Sequence, residues 1–86
     1  MDINELIAIV KKKLQDQINI TNIIVEDKSF LHKNHIGNQK GKFHLKIKLE
    51  SPDLKNMNKI KSNQKIYKIL DIELKKYIHS IQIFIT

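Results

Sequence analysis

The chain has no cysteine, no tryptophan and no arginine, and only one proline and two glycines among its 86 residues. Without thiols it cannot form disulfides, run thiol catalysis, or hold a zinc or iron–sulfur centre on its own thiolates. The lack of arginine removes the planar fork that favours bidentate phosphate contacts and base reading. The net charge of +7 therefore rests on sixteen lysines. A lysine coat supports loose attraction to nucleic acid or anionic membrane and is first of all a solvated surface. No run approaches the ~18 apolar residues of a membrane helix, so no membrane span is expected. The beginning of the chain lacks a basic segment followed by an apolar core, and the cytoplasm is the expected location. Hydrophobic residues at 41% and charged residues at 29% are ordinary for a folded globular protein. There is no repeat and no linker, so residues 1–86 are expected to form a single domain.

Asp2 followed by Glu5 predicts a capped helix from Ile3, with Ile3, Leu6, Ile7, Val10 and Leu14 at helical spacing. Residues Ile20 to Asp27, β-branched and apolar, predict a first strand. Lys28 to Lys42 holds Gly37 and Gly41 and reads as a long exposed loop. Phe43 to Glu50 alternates strictly, so Phe43, Leu45, Ile47 and Leu49 face the core, while His44, Lys46 and Lys48 face away. Ser51-Pro52 is a cap followed by a first-turn proline, and predicts a short helix through Leu54. A second main helix is expected over Lys59 to Lys76, presenting Ile66, Ile69, Leu70, Leu74 and Tyr77 on one side. A last strand from about Ile78 to Thr86 has Ile81, Ile83 and Ile85 on one face. The order is αββααβ. Strands one and two pair antiparallel, and the helical crossover makes strands two and three parallel. The fold class is α+β, a three-stranded mixed sheet with helices on one face.

Chemistry-bearing residues are few. His79 precedes the last apolar run, and His32, His35 and His44 lie between the first two strands. Two imidazoles on neighbouring elements can supply part of a metal site that a partner completes. The bland alternatives are a partly buried His79 bonded to a backbone carbonyl, and a surface residue for His35. His44 shares a strand face with two lysines, which favours solvation or packing over ligation. The Gly37–Gly41 segment lacks the spacing of a phosphate loop. The segment Leu54 to Lys61 has no glycine, so it lacks the GXXG clamp of a nucleic-acid-binding KH domain. Nothing in the sequence places a nucleophile beside a base, and the chain is not expected to be an enzyme.

The residues Val25-Glu26-Asp27-Lys28-Ser29, the pair His35 and His44, the run Phe43-His44-Leu45-Lys46-Ile47 leading to Ser51, then Tyr67, Leu70 and Ile78-His79-Ser80 resemble the BolA-like family. The match is ungapped from His35 to the last strand. The resemblance implies the class II KH-like fold, with the αββααβ order read above. It implies partnership with monothiol glutaredoxins in iron–sulfur cluster handling and, in some bacteria, transcription regulation through nucleic acid. It carries the family's cluster-ligand positions onto His79 and His35, with His32 as the alternative loop ligand. Two family motifs differ: Phe-x-Gly is Leu54-Lys55-Asn56 here, and Arg-His-Arg is Ser62-Asn63-Gln64. The second change removes a basic triplet suited to nucleic-acid contact and leaves Ser62 as the expected cap of the main helix.

On this reading the cofactor is a [2Fe–2S] cluster shared with a glutaredoxin and glutathione, which supply the thiolates this chain lacks. Imidazole in place of thiolate removes negative charge from the cluster and raises its reduction potential. Ligation requires a deprotonated imidazole, so affinity for metal is expected to fall as pH drops through ~6.5. A nucleic-acid-binding regulator is the alternative function, and the sequence leaves a homodimer open.

Overall fold

The computed structural model describes residues 1–29 and 42–86. Among them the order is α1 (Ile3–Gln17), β1 (Asn22–Asp27), β2 (Phe43–Glu50), α2 (Pro52–Lys55), α3 (Lys59–Ile69), α4 (Asp71–Lys76) and β3 (Ile78–Ile85). The strands form one sheet in the order β1-β2-β3, antiparallel between β1 and β2 and parallel between β2 and β3. This is the expected α+β architecture.

Local chemistry accounts for most boundaries. The Asp2 carboxylate accepts the Glu5 N–H at 2.9 Å and starts α1. Ser51 Oγ accepts the Leu54 N–H at 3.3 Å, and Pro52 occupies the first turn of α2. Two expectations need correction. The cap of α3 is Asn58, whose Oδ1 accepts from Lys61 N–H at 2.8 Å. Ser62 lies inside the first turn, buried, and donates to the Lys59 carbonyl at 3.0 Å. The expected single helix also breaks into α3 and α4 at Leu70, where φ is −96° and ψ is 18°. The Leu70 N–H still bonds the Ile66 carbonyl, and the Leu70 carbonyl accepts from Leu74, so the break is a local turn within one packed unit. No glycine or proline marks it.

The core lies between the helices and one face of the sheet. Leu6, Val10 and Leu14 of α1 and Ile66 of α3, with Leu70, pack on Val25, Leu45, Ile47 and Leu49. On the opposite face Ile24, Lys48 and Phe84 are exposed. One charged group is also buried on the helical side. Glu73 of α4 is 5% exposed and accepts both its hydrogen bonds, at 2.9 and 2.7 Å, from Lys13 Nζ of α1. The pair ties two helices sixty residues apart, and its cationic end still reaches solvent.

Truncating Ile47 (fully buried) to alanine should cost about 2–5 kcal/mol in chemical denaturation. Ile24→Ala on the open face should cost far less, about 0.5 kcal/mol. Lys13→Met leaves the Glu73 carboxylate buried without its cation and should cost about 1–3 kcal/mol. An equal loss for Ile47→Ala and Ile24→Ala would contradict the sidedness of the sheet.

Candidate functional site at the start of the last strand

The site grows from an irregularity in strand pairing. Phe43 of β2 stands opposite Ile78 of β3, but the next residue, His44, stands opposite Ser80. His79 is therefore an extra residue in β3, a bulge in a parallel ladder, where bulges are rare. In a regular strand, successive side chains alternate between faces. The bulge breaks that alternation: Ile78 points into the core, His79 and Ser80 are both exposed, and Ile81 returns to the core side. Without the extra residue, Ile78 and Ile81 could not both face the helices.

The result is a cluster on the open face. The rings of His44 and His79 lie with centroids 4.8 Å apart, tilted by 56°. His44 Nδ1 and Ser80 Oγ are 2.6 Å apart, a short hydrogen bond whose donor is set by the tautomer of the ring. His44 is on the expected face but is not solvated: it is 4% exposed, while His79 beside it is exposed. The bulge brings the His79 ring and the Ser80 hydroxyl against it. Sequence reading missed both contacts, because the signal for them is the pairing register and not the residue order.

The backbone of His44 is held from the other side by the end of β1. Asp27 Oδ1 accepts the Ser29 N–H at 2.9 Å in a local turn. Ser29 Oγ then accepts the His44 N–H at 3.1 Å, and the His44 carbonyl accepts from Lys28 N–H at 2.7 Å. The Val25–Ser29 motif thus acquires a physical role: it fixes the start of β2. On the same face Glu26 bonds Lys28 at 2.9 Å and lies 3.6 Å from Lys48. The Lys28 hydrogen bond first, with the charges of Lys28, Lys48 and Lys46, holds the Glu26 carboxyl below its ordinary value of about 4.5, against a smaller opposing effect of burial. Further along, Lys46 Nζ sits 5.0 Å from the centre of the Phe84 ring, a cation–π contact.

Of the ligand positions expected from sequence, His79 is exposed on this face. His32 and His35 lie outside the described residues. Among the described residues no group of three His, Asp or Glu side chains could hold a metal ion, and no helix is long and apolar enough to cross a membrane. What the described residues offer a metal is one accessible imidazole backed by a second that is hydrogen-bonded in place. Any thiolate would have to come from outside, since the chain has no cysteine.

Comparison with known proteins gives the same family throughout. The BolA family, described as BolA-like protein, matches residues 14–86. A Haemophilus influenzae protein named DNA-binding transcriptional regulator BolA is 32% identical over 73 residues, covering 85% of this chain and 68% of that protein. Protein BOLA1, chloroplastic, from Arabidopsis thaliana is 30% identical over 78 residues, and the match spans about half (48%) of its length. Among solved structures, the BolA domain of SufE1 from Arabidopsis thaliana superposes with a TM-score of 0.77 at 25% identity, covering 92% of this chain and 87% of that one.

Replacing Ser80 by alanine removes the partner of His44 Nδ1 without touching the core. The protein should stay folded while the His44 ring nitrogens shift in long-range proton–nitrogen spectra; unchanged His44 signals would show that the bond does not form in solution. For Glu26 the sign is that of a depressed carboxylate. Its stabilising contribution is present above the unfolded value and is lost as pH falls through the lowered folded value. Lys28→Ala should move the Glu26 carboxyl midpoint upward in a carbon-detected titration.

Proposed function

The chain belongs to the BolA-like family, and from that premise we propose that it is an adaptor for a monothiol glutaredoxin that helps hold or pass a [2Fe–2S] cluster as cargo. The observation that carries this reading is His79, an exposed imidazole displaced onto the open face by a bulge and braced by the ring of His44. A donor in that state is available to an incoming partner at little reorganisation cost, since the bulge and the Ser80–His44 bond fix its surroundings beforehand. The chain supplies nitrogen donors and no thiolate, so the remaining ligands belong to the glutaredoxin cysteine and glutathione. One cluster iron carrying imidazole in place of thiolate has a less negative environment, which favours release over storage. The loop ligand on this reading is His35 or His32. The proposal places the protein in the cytoplasm.

The test is to mix the protein with cluster-loaded monothiol glutaredoxin and follow visible absorption and circular dichroism. A changed cluster spectrum is expected for the native chain and a largely lost change for His79→Ala, with complex formation checked separately by sedimentation. An unchanged spectrum, or the same change for His79→Ala, overturns the ligand role.

A second reading has its own support. The exposed Phe84 lies on the open face between lysines, with Lys46 over its ring, in a chain of charge +7. Aromatic side chains on a sheet flanked by cations are the means by which single-stranded nucleic acid is stacked and held, and the Haemophilus relative is named a DNA-binding regulator. Binding of an oligonucleotide with sequence preference and a steep salt dependence is the expected signature. Salt-sensitive binding without preference reports only the lysine coat.

A further inference from the structure

A second surface lies apart from the histidines, along the outer edge of β3. Among the described residues β3 pairs only with β2, so its other side is an open sheet edge. Thr86 turns both backbone groups inward: its N–H donates to the Leu49 carbonyl at 2.9 Å and its carbonyl accepts from Ser51 N–H at 3.2 Å. Backbone direction alternates along a strand. Ile85, Ile83 and Ile81 therefore aim their N–H and C=O groups outward, three aligned donor–acceptor pairs. Folded proteins protect such edges with lysine, proline or short strands. Here an eight-residue strand, isoleucine-rich, carries no lysine, aspartate, glutamate or proline, in a chain with sixteen lysines elsewhere. The bulge at His79 blunts only its first turn.

Beside the unprotected half of that edge lies a cleft of about 380 Å³, between β3 and the α2–α3 connection. Leu54, Met57, Ile83 and Ile85 give it an apolar floor, and Lys55 and Lys59 stand at its rim. Asn63 also lines it, and Asn63 Oδ1 is a buried acceptor with no hydrogen-bond partner among the described residues. A buried carbonyl left without a donor is unfavourable, and an N–H group entering the cleft would satisfy it.

We propose that the free edge of β3 and the adjoining cleft form a docking site for an extended acidic peptide segment of a partner protein, which joins the sheet as a fourth strand. Each feature selects one property of the occupant. The outward amides of Ile81, Ile83 and Ile85 require a strand, paired by main-chain bonds. The apolar floor takes alternate apolar side chains. Lys55 and Lys59 at the rim take carboxylates, and Asn63 Oδ1 accepts from a peptide amide or a side-chain donor. A second copy of this chain fits less well, because each copy carries a charge of +7 and the approach is repulsive. The site is independent of His79 and of the cluster reading.

The probe is a blocked heptapeptide alternating valine and threonine and ending in two glutamates, titrated into the nitrogen-15-labelled chain and followed by amide spectra. Saturable shifts at Ile81, Ile83, Ile85 and the Asn63 side chain are expected, with half-saturation below about 1 mM. The same peptide N-methylated at alternate amides should produce none of them. The double variant Lys55→Glu/Lys59→Glu, both exposed positions, should bind about threefold or more weakly while its own spectrum stays folded. The proposal is overturned by an absence of shifts at saturating peptide, by equal shifts from the N-methylated peptide, by the same residues shifting with protein concentration alone as a dimer forms, or by their preferential response to a thymidine oligonucleotide.

Discussion

The pairing of β2 with β3 is the constraint on which the rest depends. β2 is the central strand and serves both neighbours, one antiparallel and one parallel. Its core face carries Leu45, Ile47 and Leu49, each nearly or fully buried, and the apolar residues of β3 must meet them on the same side. Ile81, Ile83 and Ile85 do so in register, and Ile78 does so only because one extra residue separates it from them. Burial of isoleucine thus decides the backbone geometry, and an imidazole is displaced outward as a consequence. Core packing and the candidate site are two results of one register.

Electrostatics on the two faces follow different rules. On the helical side Glu73 is removed from water and paired with Lys13 through a two-pronged bond. On the open face Glu26 sits among three lysines, in solvent, where such pairs stabilise little and salt weakens them. The first arrangement contributes to holding the fold together; the second mainly keeps the face from being a uniform field of positive charge.

Most of the fold could be read from residue order because its signals are local. Strict alternation from Phe43 to Glu50 fixed β2 to the residue, and Ser51-Pro52 located α2. The stripe from Ile3 to Leu14 identified the buried face of α1, of which Leu6, Val10 and Leu14 are sealed. The site was only partly legible. His79 could be singled out by its place before an apolar run, yet its position outside the ladder depends on a partner strand thirty-odd residues away in sequence. The burial of His44 was hidden as well: two lysines on its face suggest water, and its contacts with His79 and Ser80 exist only in the folded pairing. Asn58 and Ser62 both had cap chemistry, and nothing local decides which is used. The break at Leu70 has no residue-level signal at all. Lys13 and Glu73 are unremarkable on their own helices and meet only through the tertiary fold.

The short passage between α4 and β3 has a mechanical implication. Glu73, already fastened to α1 by Lys13, accepts the Tyr77 N–H at 2.8 Å through its carbonyl, and the Tyr77 carbonyl accepts from Phe43 at 2.9 Å. The peptide entering the bulge is consequently moored at one end to a helix and at the other to the sheet. A force applied at the His79 ring would be shared by α1, α4 and β2 rather than absorbed by a hinge. Such a lever transmits pull in both directions, so loosening the anchorage deep among the helices would let the imidazole wander while the sheet itself stayed intact.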